Sequence, residues 1–334
     1  MTGTGDETWA MRQLACAICG GDGGATRLRA RDHREGLPGT FTIVECPQCG
    51  LARTDPIPAD LGPWYPDTYG NHAKRQSPSV RLTLAALVHL LRTDISPLRA
   101  RVIARLAPGG DLGGGLPPGS RILDVGAGNG SAVAAMRAAG FDAWGIEPSA
   151  NGVMNAQAAG VETIRQGTLK SSGMADEQWD LVRFTHVLEH VDDPVEELTM
   201  ARDALLPGGR VAVLVPNFGS LGRRMFGGSW DGLEVPRHLW HFTPASLRAT
   251  FEAAGLRPTV LHSAALFGVT SASIDAKLSR GSRQRGWGSH IAARAVTYPY
   301  DLLTAAVGFG DGIVGVAVRA PESVLPDGAG HVTR

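Results

Sequence analysis

Lysine is nearly missing from this chain: 3 of its 32 basic residues are Lys and the rest are Arg. Ala and Gly are abundant as well, so the Arg excess reads as base composition of the coding sequence rather than phosphate recognition. There is no net charge, because 32 Asp plus Glu balance 32 Lys plus Arg. That balance argues against a protein held mainly by nucleic-acid backbones, which requires a basic surplus. Cysteine does not occur after residue 49, which argues against a disulfide-built secreted protein. Long apolar runs are missing too. Leu82 to Leu91 is too short to span a bilayer and contains His89, and Ala295 to Val318 is broken by Pro299, Asp301 and Asp311. The first residues, MTGTGDETWAMRQ, lack the basic-then-apolar pattern of a signal peptide. The expectation is a soluble cytoplasmic protein. With 43% hydrophobic and 19% charged residues, the composition is that of a folded chain, not a disordered one.

From Arg121 onward, strand and helix patterns alternate. RILDV (121–125), Asp142–Glu147, Val161–Gln166, Trp179–Phe184 and Arg210–Val215 read as strands. Helices are predicted between them. Ser149, Asp193 with Pro194, and Thr243 with Pro244 stand at their starts, and Gly140, Gly160 and Gly255 at ends. Arg257–Leu261 and Ile313–Arg319 are two further strand candidates, separated by a helical insertion over 267–310. This alternation predicts an α/β fold with a mostly parallel, doubly wound sheet. Ligands of such sheets lie beyond the strand carboxyl ends, where strand order switches.

The first strand runs into Asp124-Val125-Gly126-Ala127-Gly128-Asn129-Gly130. Glycines permit positive φ and close backbone approach, and the next helix offers its N-terminal amides. Glu147 ends the second strand, where a carboxylate can accept both hydroxyl protons of a ribose. Three stretches follow: FTHVLEHVDDPVEEL (184–198), LLPGGRVAVLVPN (205–217) and PRHLWHFTPASL (236–247). Together, over about 120–320, these motifs resemble the class I S-adenosylmethionine-dependent methyltransferases. The resemblance implies a Rossmann-like sheet of seven strands with the last antiparallel. It implies that Gly126, Gly128 and Gly130 line the methionine and ribose of the donor, with Asp124 near its amino group and Glu147 on the ribose. Family members often place an acid after the third strand to hold adenine. QGTLKSSGM (166–174) has none, which leaves Thr168 and Leu169 to pack the base. Thr185 and His186 would flank the sulfonium.

Cys16-x-x-Cys19 and Cys46-x-x-Cys49 are separated by 26 residues, and each pair is followed by glycine (CAICG, CPQCG). This is zinc-ribbon spacing, and four thiolates make a closed structural site. Free thiols or a redox pair are the other readings. VECPQCGLARTDPIP (44–58), followed by WYPDTYG (64–70), is similar to the N-terminal part of a methyltransferase subgroup that includes deoxysugar C-methyltransferases. The Tyr-rich motif of that subgroup is represented here by Tyr65 and Tyr69. The predicted organisation is a zinc-ribbon-like module over 1–55 and a Pro-rich, helical connection over 56–118. The methyltransferase domain follows over 119–320, and a tail over 321–334.

Methyl transfer is an in-line displacement that needs alignment and exclusion of water. An alcohol or enol acceptor also needs a base, a role suited to histidine. His186, His238 and His241 are the candidates, with Glu234 and Arg237 placed to orient a histidine or bind an anion. His190 is as readily structural. The amino-group signature N/D-P-P-Y/F is absent after the fourth strand, where FTHVLEH stands. The expected function is methylation of oxygen or carbon in a small molecule, such as a sugar or secondary-metabolite intermediate. Methylation of a macromolecule and donor binding without transfer stay open. So does oligomeric state, a homodimer included.

Overall fold

The computed structural model describes residues 9–66, 69, 115–266, 268–278 and 287–320 of the 334. Most of the expected connection over 56–118, and the 321–334 tail, lie outside the described residues.

Five short strands open the described chain: β1 (Met11–Arg12), β2 (Ala25–Ala30), β3 (Phe41–Glu45), β4 (Ala52–Thr54) and β5 (Ile57–Pro58). The α/β part then runs β6 (Arg121–Val125), α1 (Ser131–Ala138), β7 (Asp142–Glu147), α2 (Ala150–Ala158), β8 (Ile164–Gln166) and β9 (Trp179–Thr185). It continues through α3 (Pro194–Asp203), β10 (Leu205–Pro216), α4 (Leu221–Phe226), β11 (Trp240–His241), α5 (Pro244–Ala253) and β12 (Leu256–Ala264). Helices α6 (Val269–Leu278) and α7 (Trp287–Ala306) fill the expected insertion, and β13 (Gly312–Arg319) ends the series.

The main sheet has seven strands in the order β12-β13-β10-β9-β6-β7-β8. Strands β6 to β10 pair in parallel, and β13 runs antiparallel to both β10 and β12. The expected Rossmann-like sheet is therefore present. Its central strands are buried on both faces, which is why they read as apolar runs rather than alternating ones. Leu198, Leu247 and Phe251 of α3 and α5 pack on one face. Val133, Val153 and Ala156 of α1 and α2 pack on the other. The predicted caps are formed. Asp193 accepts from the amides of Val195 and Glu196, and Thr243 and Ser246 close a capping box.

Several strand boundaries differ from expectation, among them the Arg257–Leu261 strand, which runs Leu256–Ala264. The third strand is shorter than predicted and begins at Ile164. The fifth begins at Leu205 rather than Arg210, with a register shift between those residues. The break sits at Pro207-Gly208-Gly209: Gly208 has φ +81°, and a Cβ at Gly209 would lie 2.8 Å from the Trp179 carbonyl. A turn is thus folded into the strand as a bulge.

A second sheet has the order β11-β4-β3-β2. Its edge comes from far along the chain, because Trp240 and His241 pair with Arg53 and Ala52. The N-terminal segment therefore shares its core with the larger fold. Phe41, Ile43 and Trp64 pack with Phe218, Trp230 and Val235. Leu14, Leu51 and Ile57 pack in the same cluster as Leu239 and Trp240. No helix among the described residues is long and apolar enough to cross a membrane.

Candidate functional site

Strand order reverses between β6 and β9, so the loops after these two strands meet at the switch point. The glycine loop makes that meeting close. Gly126 has φ +70°, and a Cβ there would lie 2.4 Å from Cγ2 of Val187. A side chain has neither the backbone conformation nor the room. Glu147, buried at the end of β7, accepts hydrogen bonds from the amides of Gly128 and Ser149, both 2.8 Å. It ties the glycine loop to the start of α2. Asp124 is buried beside Arg183, whose Nε lies 3.1 Å from its carboxylate. Burial pushes the Asp124 carboxyl up, against the Arg183 charge. Thr185 accepts from Arg183 at 2.7 Å. Of the two residues expected near adenine, Thr168 is exposed and turned onto Ser171, while Leu169 is fully buried in the core.

The second part of the site lies just past β9. Two non-glycine residues, His186 (φ +56°) and Glu234 (φ +36°), hold positive φ among the described residues. Such conformations are uncommon outside glycine and concentrate at functional sites. His186 is 42% exposed at its side chain, and its Nδ1 lies 3.2 Å from Glu189, which is wholly buried. Since the carboxylate accepts, Nδ1 carries the hydrogen of this bond. Burial would raise the Glu189 carboxyl, but the His186 hydrogen bond and neighbouring imidazoles bring it below its ordinary value.

His238 and His190 stand behind this pair, their rings 4.6 Å apart at 82°. His238 Nδ1 lies 3.0 Å from the Gly232 carbonyl, so it is the donor. Its Nε2 faces Glu234 at 3.8 Å and Glu189 at 4.0 Å. Burial lowers its pKa to about 4, so the ring is neutral at pH 7. His190 Nδ1 lies 3.1 Å from the Arg237 carbonyl and 3.0 Å from Tyr65 Oη.

The wall around these groups comes from the N-terminal segment. Asp32 accepts from Arg237 at 2.7 and 3.2 Å, and both side chains are fully buried. Arg237 also donates to Glu234 at 3.2 Å and to the Trp64 carbonyl at 3.1 Å. Arg34 and Tyr69 both bond the Glu234 carboxylate. Although burial pushes Glu234 up, the charges of Arg34, His238, His190 and Arg237 hold it well below the usual carboxylate range. Tyr65 and Tyr69 are driven up by burial, so both phenols stay protonated.

His241 has a different partner. Thr54 Oγ1 donates its one hydrogen to the His238 carbonyl at 2.7 Å, and so accepts from His241 Nε2 at 2.9 Å. His241 thus links β11 to the N-terminal sheet, against Phe218. The structure gathers His186 and His238 around Glu189 and turns His241 toward Thr54. Sequence reasoning missed Glu189, although it stands in LEHV right after a strand. It also missed Asp32 and Arg34, which no motif marks.

The four cysteines close a third feature. Cys16 and Cys49 sulfurs lie 3.3 Å apart, Cys19 and Cys46 sulfurs 3.4 Å, and all four within 4.8 Å of one another. The two knuckles are alike: Gly20 N bonds Cys16 O at 2.7 Å, and Gly50 N bonds Cys46 O at 3.0 Å.

A family described as a methyltransferase domain matches residues 89–261, more than half of the chain. The ubiquinone biosynthesis O-methyltransferase of Cereibacter sphaeroides is 32% identical over 160 residues, spanning 44% of this chain and 65% of that protein. The same-named protein of Azorhizobium caulinodans is 33% identical over 154 residues, spanning 43% and 61%. The chain therefore spans less than two thirds of the length of these curated relatives. Among solved structures, magnesium protoporphyrin IX methyltransferase from Synechocystis PCC 6803 has a TM-score of 0.42 at 16% identity, covering 75% of this chain and 91% of that one. An S-adenosylmethionine-dependent methyltransferase from Mesorhizobium loti has a TM-score of 0.41 at 18% identity, covering 60% and 93%. On the family match and the seven-stranded sheet, the chain belongs to the methyltransferase-domain family.

Proposed function

We propose that this enzyme methylates an oxygen of a small hydroxylated molecule, with His186 as base and Glu189 orienting it. The observation that carries the reading is the His186–Glu189 pair at the switch point. His186 is held at φ +56° and bonded to a buried carboxylate. The next residue, Val187, touches the glycine loop. When bound, S-adenosylmethionine supplies an electrophilic methyl on a sulfonium. Gly126, Gly128 and Gly130 would line its methionine and ribose, with Asp124 near the amino group. Glu147 would take the ribose hydroxyls, and Thr168 and Leu169 the adenine side. Thr185 and His186 would stand beside the sulfonium. The Gly126 contact supports this, because it packs the glycine loop against Val187, next to His186, at the switch point where such sheets bind ligands. His186 Nε2 takes the acceptor proton, and Glu189 steadies the imidazolium that results. The O-methyltransferase names of the relatives support oxygen over carbon.

His238 serves as support for Glu189, and His241 as a structural link. The four cysteines hold structural zinc. A tetrahedral site with Zn–S of about 2.3 Å has S···S edges of roughly 3.8 Å; two of the sulfur pairs lie at 3.3 and 3.4 Å and all four atoms within 4.8 Å of one another. Residues 1–55 then form a metal-stapled module that walls the acceptor side of the domain over 119–320. The test is incubation of the protein with methyl-labelled donor and hydroxylated acceptors, followed by mapping of the label. Label on an acceptor oxygen, lost in His186→Ala, is expected. Label on carbon or nitrogen would overturn the oxygen assignment. Donor binding with no transfer to any acceptor would favour a scaffold.

A further inference from the structure

We infer that Glu189, His190 and His238 form a second metal site, distinct from the cysteines, that takes a divalent transition-metal ion. One ligand atom from each of the three lies within 4.8 Å of the others.

Hydrogen bonding decides what these groups offer. His238 Nδ1 must donate to the Gly232 carbonyl, which leaves a lone pair on Nε2 facing two carboxylates at 3.8 and 4.0 Å. A lone pair opposite anionic oxygens is unfavourable unless something positive lies between them. His190 Nδ1 likewise donates to the Arg237 carbonyl, with Tyr65 Oη sharing the bond, so its Nε2 is also free to ligate. A ring nitrogen held by a carbonyl is the usual way a ligating histidine is oriented.

Glu189 completes the set. Its Oε1 takes the His186 bond, while Oε2 is buried with no hydrogen-bond partner among the described residues. Such an orphaned carboxylate oxygen is costly. Charge points the same way. Of three buried carboxylates here, Asp32 and Glu234 pair with the guanidiniums of Arg34 and Arg237, whereas Glu189 pairs only with histidines. Arg237 is taken by Asp32 and Glu234, and Arg34 by Glu234, so Glu189 is left without a permanent cation.

Two imidazoles and one carboxylate suit Zn, Mn, Fe or Co rather than Mg or Ca. Three protein ligands leave open positions, as in catalytic rather than structural sites. An acceptor hydroxyl bound there would be acidified before His186 takes its proton. That role rests on the acceptor placement proposed above; the ion's binding does not.

The test uses the full-length chain with its cysteines zinc-loaded, titrated with Mn²⁺ and followed by electron paramagnetic resonance. Mn²⁺ avoids thiolates, so it reports this site alone. One equivalent is expected to bind, with affinity falling roughly tenfold or more in Glu189→Gln and in His238→Gln. Calorimetric donor binding in each variant checks its fold, and His190→Gln replaces a variant that fails that check. No Mn²⁺ uptake by donor-binding wild type, or equal uptake by the folded variants, overturns the site. Wild type that binds Mn²⁺ but no donor would instead sink the methyl-transfer reading.

Discussion

The junction between the N-terminal segment and the methyltransferase fold should rest on Asp32. This carboxylate, wholly buried, receives two bonds from Arg237 and three from the amides of Arg34, Glu35 and Leu37. Asp32→Asn keeps the shape and removes the charge. The Arg237 guanidinium, also fully buried, is left with Glu234 at 3.2 Å and the Trp64 carbonyl. Removing one partner of a buried pair costs about 3–5 kcal/mol. Because Glu234 still compensates Arg237, the lower end applies, about 3 kcal/mol. At about 1.4 kcal/mol per decade, that is roughly a hundredfold in the folded-to-unfolded ratio. Urea unfolding followed by tryptophan fluorescence measures it as a lower midpoint at unchanged slope. The double variant Asp32→Asn, Arg237→Met removes both charges while an amide oxygen still accepts from the backbone, and should lose less than the sum of the two single variants. An Asp32→Asn midpoint within about 0.5 kcal/mol of wild type would refute the idea that this pair holds the junction.

Other consequences are as direct. His186→Ala should lower turnover by about 10²- to 10⁴-fold while calorimetric donor affinity stays within a few-fold; equal losses in both would make His186 a binding residue, not a base. His238 has its pKa lowered from 6.5 to about 4, so the folded state resists a proton that the unfolded chain accepts. Stability from this residue is complete above pH 6.5 and is lost as pH falls toward 4. Relative to His238→Gln, wild type should therefore lose about 3 kcal/mol over that range, and a constant difference between the two would refute the neutral imidazole. If the four cysteines hold zinc as proposed, removing it by Cys16→Ser with Cys46→Ser, which leaves Glu189, His190 and His238 intact, should abolish turnover through loss of the Asp32, Arg34 and Tyr65 wall, yet spare donor binding. Full turnover after verified metal loss would disprove that coupling.

What the sequence made legible was local. RILDV followed by glycines, the Ser149, Asp193 and Thr243 caps, and the two CxxCG knuckles are each contained within a few residues, so the strand, loop and helix order could be read directly. The Leu205 bulge was harder, because LPGG reads as a turn and only the Trp179 pairing shows it continuing the strand. Pairing of Trp240–His241 with Ala52–Arg53 was not legible: two residues carry no periodicity, and the partners are nearly two hundred positions apart. The same distance hid Asp32 as the partner of Arg237. His238 and His241 look alike in PRHLWHF, yet His238 lies in the loop before β11 and faces Glu189, while His241 lies in β11 and bonds Thr54. Glu189 was overlooked because its neighbours in LEHV drew the attention that belongs to an ionisable group with no exposed surface.

The central claim is that the glycine loop and Glu147 hold the methyl donor. Isothermal titration of S-adenosylmethionine into wild type and Glu147→Ala tests it most directly, since the substitution also frees the Gly128 and Ser149 amides that shape the loop. Saturable one-to-one binding by wild type, abolished in a Glu147→Ala variant that still unfolds cooperatively, is the predicted result. Equal donor affinity in the two proteins would contradict the account.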